Sequence, residues 1–306
     1  MIYHYTNFDA AISIINYKNL RLVSSLEMED QTDRFFANLY ATIFILTSKD
    51  RETAEMRTHI DYDNIISANV ESLKIPFYST SFCERLDNEY LWKNYADKHA
   101  GVCIAFNKNY LLEQIRNVLL QNYVPLDLDE IAGEHIRDFV PIRSVYYKNA
   151  EEFLIDVVHK TRPTDKNYTD NCPFAYKHWL ERVFSAVAGV IKADEFKPEE
   201  EVRLLFQDIY KENYIFNHPM YVFEWTRFKD GFSKLGLCNL KNENGKQYYE
   251  LRMEEFFNSE LIPKIVLGKD FPDENIGFLK KALYSNGMTD TVVDDSFISA
   301  KVLTTV

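Results

Sequence analysis

The fold of this chain turns on one stretch, Tyr78-Ser79-Thr80-Ser81-Phe82-Cys83, and on the two segments behind it. These are Leu91-Trp92-Lys93-Asn94-Tyr95-Ala96-Asp97 and Gly101-Val102-Cys103-Ile104-Ala105-Phe106. They read as a strand carrying hydroxyls, a short helix carrying aromatics and a second strand opened by a glycine. Side chains alternate along a strand, so Ser79 and Ser81 fall on one side of Phe77–Cys83 and Tyr78, Thr80 and Phe82 on the other.

Working outward, Ile2–Thr6 reads as a first strand, with Tyr3 and Tyr5 on one face and Ile2, His4 and Thr6 on the other. Thr6 or Asn7 caps a helix whose apolar residues Ala10, Ala11, Ile14 and Ile15 lead to Tyr17. Leu20–Val23 is a short strand. A helix is expected from about Arg34 to Thr47, then mostly polar helix to about Leu73. Asp87 or Asn88 caps the helix holding Trp92, and Gly101 ends it. Residues 108–121 and 149–160 read as helices, 139–147 as strand and 162–171 as loop. A longer helix runs from about Phe174 to Ala193, and Pro198 opens a strand over Glu199–Gln207. Strands near 221–225, 247–251 and 261–267 follow, then a helix capped by Asp273 and an edge strand at 299–304. The expected architecture is α+β: a single domain over 1–306 with a split, antiparallel-type β core. Residues 32–73 and 107–195 form largely helical insertions.

At 306 residues and 46% apolar, the chain is long and hydrophobic enough for a large core. A net charge of −12 argues against a broad basic surface gripping a phosphate backbone. The four cysteines stand far apart with no CxxC pair, which suits reduced thiols. The start MIYHYTNFD has no basic, then apolar, leader, and the longest apolar run is too short for a bilayer. The expectation is a cytoplasmic protein without a membrane partner. No histidine pair has metal-ligand spacing, and no phosphate-cradling glycine loop or nucleophile elbow occurs.

Three clusters could carry chemistry. His4-Tyr5-Thr6 either ends a strand or holds a ribose hydroxyl or amide from rigid backbone. On an extended strand Glu199, Glu201 and Arg203 share one face, where Arg203 fixes a carboxylate by a bidentate pair. A carboxylate so held suits a developing oxocarbenium centre, although an acidic run before a strand is also an ordinary solvated face. Ser79 and Ser81 either bond to backbone or, beside Trp92 and Tyr95, line a pocket for a flat heterocycle. Trp92 and Tyr95 read first as helix-core residues.

The order HYT, then LRLV, then S-F-C followed by LWKNYAD and GVCIAF, then EEEVRLLF and a final IVLG strand, resembles the bacterial domain of unknown function family 2971. The resemblance runs from about Ile2 to Leu283. It departs at Glu29-Asp30-Gln31-Thr32-Asp33, where the family carries an Asn-Asp-Pro-like element. A second resemblance is to the ADP-ribosyltransferase fold, through His4, Tyr78-Ser79-Thr80-Ser81 and Glu199 with Glu201. That resemblance implies NAD as substrate. His4, with Tyr5 and Thr6, would lie at the cofactor ribose or carboxamide, and Ser79 and Ser81 would order the nicotinamide end. Glu201 would stabilise the ribosyl cation and Glu199 would orient the acceptor. It further implies a toxin or anti-phage defence effector acting on a protein or nucleic-acid acceptor, with an antitoxin or partner defence protein. NAD glycohydrolysis, a non-catalytic nucleotide- or protein-sensing module, and a motif-free nuclease or hydrolase are the alternatives.

Overall fold

The computed structural model describes residues 1–25, 77–122, 142–145, 189–190, 192, 194–207, 241–243 and 246–294. In chain order the elements are β1 (Ile2–Thr6), α1 (Phe8–Tyr17), β2 (Asn19–Ser24), β3 (Phe77–Cys83), α2 (Glu89–Asn94), β4 (Val102–Phe106) and α3 (Lys108–Asn122). There follow β5 (Ile142–Ser144), a 3-10 turn (Asp194–Glu199), β6 (Glu201–Gln207), β7 (Lys241–Glu243), β8 (Lys246–Arg252), β9 (Lys264–Leu267), α4 (Asp273–Ser285) and β10 (Val292–Asp294).

The strands form one mixed, mostly antiparallel sheet in the order β10-β9-β4-β1-β3-β2-β8-β7, with β6 on β3 and β5 on β6. Among the described residues only β10 and β9 run parallel. The α+β class follows. β3 is the strand from which the sheet forks. Along one edge it pairs with β6 through its whole length, from Phe77↔Gln207 to Cys83↔Glu201. Its other edge is shared between two strands, with β2 taking Tyr78 and Ser79 and β1 taking Cys83. The gap between β1 and β2 is stitched by side chains. His4 Nδ1 bonds the Ser81 carbonyl at 2.9 Å, and the Thr80 hydroxyl donates to the Arg21 carbonyl.

Two-residue alternation gives the sheet two unlike faces. On one, Ile2, Leu20, Leu22, Phe82, Ile104, Phe106, Val202 and Leu204 pack beneath Ile14 and Ile15 of α1, Leu111 and Ile115 of α3, and Leu279 and Leu283 of α4. Each such side chain contributes roughly 1.5–3 kcal/mol, so a one-residue slip of any central strand is prohibitive. The opposite face carries a smaller cluster of Tyr5, Cys83, Leu91, Trp92, Ala96, Cys103 and Val266 under α2. Beside that cluster, the same face of β3 and β6 is polar.

Several boundaries differ from expectation. The cap of α1 does not: it is Asn7, one of the two expected residues, whose side chain accepts from Ala10 N at 2.8 Å. α2 stops at Asn94, well before Gly101, and is followed by three left-handed residues, Asp97, Lys98 and His99. Gly101 has a different role: a Cβ there would lie 2.3 Å from the Thr6 carbonyl oxygen, so only glycine lets β1 and this turn approach. Gly189 and Val190 form a turn, so the helix expected to Ala193 does not reach that far. The strand expected from Glu199 starts at Glu201, because Pro198 and Glu199 close a 3-10 turn and Glu200 is left-handed (φ 47°). α4 starts behind Pro272 with no side-chain cap from Asp273. β10 falls where no strand was expected, and the expected elements near 34–73, 149–171, 221–225 and 299–304 lie outside the described residues. No helix among the described residues is long and apolar enough to cross a membrane.

Candidate functional site

The polar patch is built by the pairing of β3 with β6. Ser81 stands opposite Arg203 and Cys83 opposite Glu201, so all four side chains project from one face. Arg203 grips Glu201 on both oxygens, Nε to Oε1 at 2.7 Å and Nη2 to Oε2 at 3.0 Å. This is the bidentate pair the alternation predicts. Its third nitrogen, Nη1, donates to the Gly189 carbonyl at 3.0 Å. Ser81 adds a hydroxyl donor to Glu201 Oε1 at 2.5 Å. Ser81 is itself exposed, whereas Glu201 and Arg203 are buried, so the hydroxyl forms the solvent-facing rim of a buried ion pair.

Glu199 reaches the same place from the 3-10 turn rather than from the strand. The left-handed Glu200 between them turns its own side chain away, to Arg85 at 3.2 Å on the surface. Lys192 then closes the gap: its Nζ lies 2.6 Å from Glu199 Oε2 and 3.1 Å from Glu201 Oε2, and over the Phe196 ring. The other oxygen of Glu199 accepts from the Tyr95 hydroxyl at 2.7 Å. Asn88 locks this arrangement to α2. Its Oδ1 caps Leu91 N at 3.2 Å while its Nδ2 donates to the Pro198 carbonyl at 2.8 Å.

Electrostatics follow from this geometry. Burial alone would raise the Glu201 pKa, but Arg203, Lys192 and the hydrogen bonds from Arg203 and Ser81 outweigh it and hold the carboxyl down at about 2. Burial pushes the Tyr95 phenol up, and the hydrogen bond and negative charge of Glu199 add to that, so Tyr95 stays a neutral donor. Ser79 Oγ is buried on the same face without a hydrogen-bond partner, an orphan two residues along the strand from Ser81.

The remaining predicted residues separate from this cluster. His4 pairs with Ile104, so its ring lies on the apolar face against Phe82, opposite Glu201. Among the described residues its link to the site is the Ser81 backbone. Burial lowers its pKa, and the hydrogen bond to the Ser81 carbonyl partly opposes this. Thr6 lies on the same side as His4 and is buried. Tyr5 anchors the loop before α2, donating to the Arg85 and Leu86 carbonyls and accepting from Asn88 N. Trp92 is a core residue, edge-on to Tyr5 at 5.1 Å and stacked on His99 at 6.5 Å. Tyr95 is half-exposed at its ring. Two residues that sequence reasoning did not single out for the site, Lys192 and Asn88, hold it together. Asn88 carried a capping signal; Lys192 carried none.

Glu199, Glu201, Arg203, Ser81, Ser79 and Tyr95 are therefore brought together, while His4, Thr6, Tyr5 and Trp92 are not. No curated protein and no solved structure matches the chain. A family match covers part of this site, taking in the end of α2 with Tyr95, β4, Lys192, Glu199, Glu201 and Arg203, and leaving Ser79, Ser81, Asn88 and His4-Tyr5-Thr6 outside. Over residues 91–204 the chain matches the family described as Protein of unknown function (DUF2971), as the LWKNYADKHAGVCIAF segment leads one to expect.

Proposed function

We propose that this chain consumes NAD by glycosyl transfer, as an ADP-ribosyltransferase-like toxin or anti-phage effector. The observation that supports this most is the Ser81–Glu201–Arg203 unit, a buried carboxylate held ionised beside an exposed hydroxyl at the mouth of a forked sheet. The fork of β3 between β1 and β2 is the feature that favours a split core of that type. In this reading the C1′–N bond of NAD breaks and its electron pair leaves with neutral nicotinamide. Glu201 stabilises the positive charge developing at C1′ and the ring oxygen. A hydroxyl of a macromolecular acceptor, or water, then bonds to C1′ and its proton passes to solvent. Glu199 and Tyr95 border the side from which the acceptor would approach, and the orphan Ser79 hydroxyl is free to hold a ligand polar group.

The test is incubation with NAD, with and without lysate as acceptor, while free nicotinamide is followed. Release is expected from the wild type and is expected to fall by about 100-fold or more in Glu201→Gln. No release under any of these conditions overturns the reading; undiminished release in the variant overturns the role of Glu201.

One observation favours a second reading. Both Glu201 oxygens already accept two donors each, from Ser81, Arg203 and Lys192. A carboxylate so fully engaged also suits a non-catalytic module that senses a nucleotide through Ser79 and Tyr95. In that case calorimetry shows NAD binding without turnover.

A further inference from the structure

α4 ends in a Schellman motif. Asn286 N–H donates to the Ala282 and Leu283 carbonyls at 3.2 and 3.1 Å, Gly287 N–H to the Tyr284 carbonyl at 3.1 Å, and Met288 N–H to the Leu283 carbonyl at 3.0 Å. Gly287 is left-handed at φ 76°, and buried Met288 folds back into the core cluster that holds Leu283. The motif therefore favours glycine directly after Asn286. That same requirement creates an Asn-Gly pair, in which a backbone nitrogen reaches the preceding side-chain amide most easily. Space at Gly287 is open: the residue is exposed, and a Cβ there would meet nothing within 4 Å. The Asn286 amide is tied down as well. Its Nδ2 donates to the Ala282 carbonyl at 2.9 Å and to Asn16 Oδ1, near the end of α1, at 3.3 Å.

We propose that Asn286 is a deamidation site which the fold holds shut, and that conversion, once made, keeps α4 from regaining its native end. The Gly287 nitrogen, deprotonated by solvent base, bonds to Asn286 Cγ; the Cγ–Nδ2 bond breaks and Nδ2 leaves as ammonia with a proton from water. Water then opens the five-membered imide at either carbonyl. One opening gives aspartate, the other isoaspartate, with the backbone rerouted through the side chain. The net change is one water consumed and one ammonia released. In the intact motif both reacting groups are engaged, the Gly287 N–H by Tyr284 and the Asn286 amide by Ala282 and Asn16. Reaction needs the last turn of α4 to open, a local event of the kind that frays element ends. Closing it again is then penalised. Where Nδ2 donated, a carboxylate oxygen faces the Ala282 carbonyl, acceptor against acceptor, and adds negative charge at the negative end of the helix dipole. Isoaspartate also adds a methylene to the main chain, which displaces Gly287 and Met288 from their carbonyls. This chemistry is independent of the glycosyl-transfer reading.

The test incubates the full chain at mildly alkaline pH, native and in guanidinium chloride, and follows the tryptic peptide carrying Asn286 by mass spectrometry. Isoaspartate is scored by enzymatic methylation. Deamidation is expected in both samples, and about tenfold or more slower in the native chain. That slowing is expected to match, within about threefold, the hydrogen-exchange protection of the Gly287 amide, because both need the same opening. Asn16→Ala removes one tie and is expected to speed the native reaction by about twofold to tenfold. Asn286→Asp is expected to lower the melting temperature by about 2–4 °C. Equal rates in the native and denatured chains overturn the shielding, and no reaction at Asn286 in denaturant overturns the site. Slow native reaction beside an unprotected Gly287 amide overturns opening of this turn as the gate. An unchanged rate in Asn16→Ala overturns the tie to α1, and an unchanged melting temperature in Asn286→Asp overturns the lasting effect on α4.

Discussion

Ser81 Oγ donates to Glu201 Oε1 at 2.5 Å, while the carbonyl of the same serine bonds His4 Nδ1 at 2.9 Å on the other side of the sheet. One residue thus couples the polar face to the apolar one. The pair also makes the acid behaviour of the protein predictable, because the carboxylate at its centre is buried and compensated.

The Glu201 pKa is depressed in the folded state, so its contribution is present above the unfolded value and lost as pH falls toward about 2. That depression corresponds to about 3 kcal/mol of stability at neutral pH. Denaturant melts at a series of acidic pH values are expected to show this loss below about pH 5, and Glu201→Gln is expected to flatten it. A wild type and variant with parallel acid slopes contradict the assignment.

Arg203 is 2% exposed and holds Glu201 and the Gly189 carbonyl at once. Arg203→Met is expected to cost about 3–5 kcal/mol, since it strands a buried carboxylate. Combined with Glu201→Gln it is expected to cost clearly less than the two changes summed, and a double-mutant cycle in urea measures the difference. Arg203→Lys keeps the charge but loses the fork, and falls between.

His4 has a lowered pKa, caused by burial and partly opposed by its bond to the Ser81 carbonyl. Below the unfolded value of about 6.5 the unfolded chain takes a proton that the folded imidazole refuses, so stability falls as pH drops through that range. His4→Phe is expected to remove this component between about pH 7.5 and about pH 5.5, as read by chemical denaturation. A variant that keeps the full wild-type slope rules out His4 as its source.

The turn after α2 offers a test in the stabilising direction. Lys98 is exposed at φ 52°, a region that costs a residue with a Cβ about 1–2 kcal/mol. Lys98→Gly is expected to raise the melting temperature by a few degrees, or about 0.5–1 kcal/mol after the entropy cost of glycine. Gly268→Ala acts the other way. Its Cβ would lie 2.0 Å from the His99 carbonyl oxygen, a backbone atom that cannot swing aside. A loss of about 1–3 kcal/mol or more is expected in thermal denaturation.

The strand content near the site was readable because period-2 alternation is a local property. Ser79 and Ser81 against Thr80 and Phe82, and Val202 and Leu204 against Glu201 and Arg203, fell on the faces that alternation assigns. The Glu201–Arg203 pair was readable for the same reason. Glu199 was misplaced because alternation was extended through Pro198 and Glu200, where a 3-10 turn and a left-handed residue break it. His4 shows the opposite failure. Its face was read correctly, but which face holds Glu201 depends on the order β4-β1-β3 with β6 on β3, and register across long separations is not a local signal. Lys192 was invisible because a lysine near a helical pattern is ordinarily solvated; only the tertiary fold buries it.

The shared edge of β3 has a consequence for motion. A strand held by β6 along its length, by β2 at one end and by β1 at the other can open only if three ladders fail together. Its amides are therefore expected among the slowest to exchange with deuterium. Glu199 enters from a 3-10 turn with no ladder to hold it. If the site breathes, Glu199 and Lys192 are the parts that leave, while Ser81 and Glu201 remain as a fixed anvil.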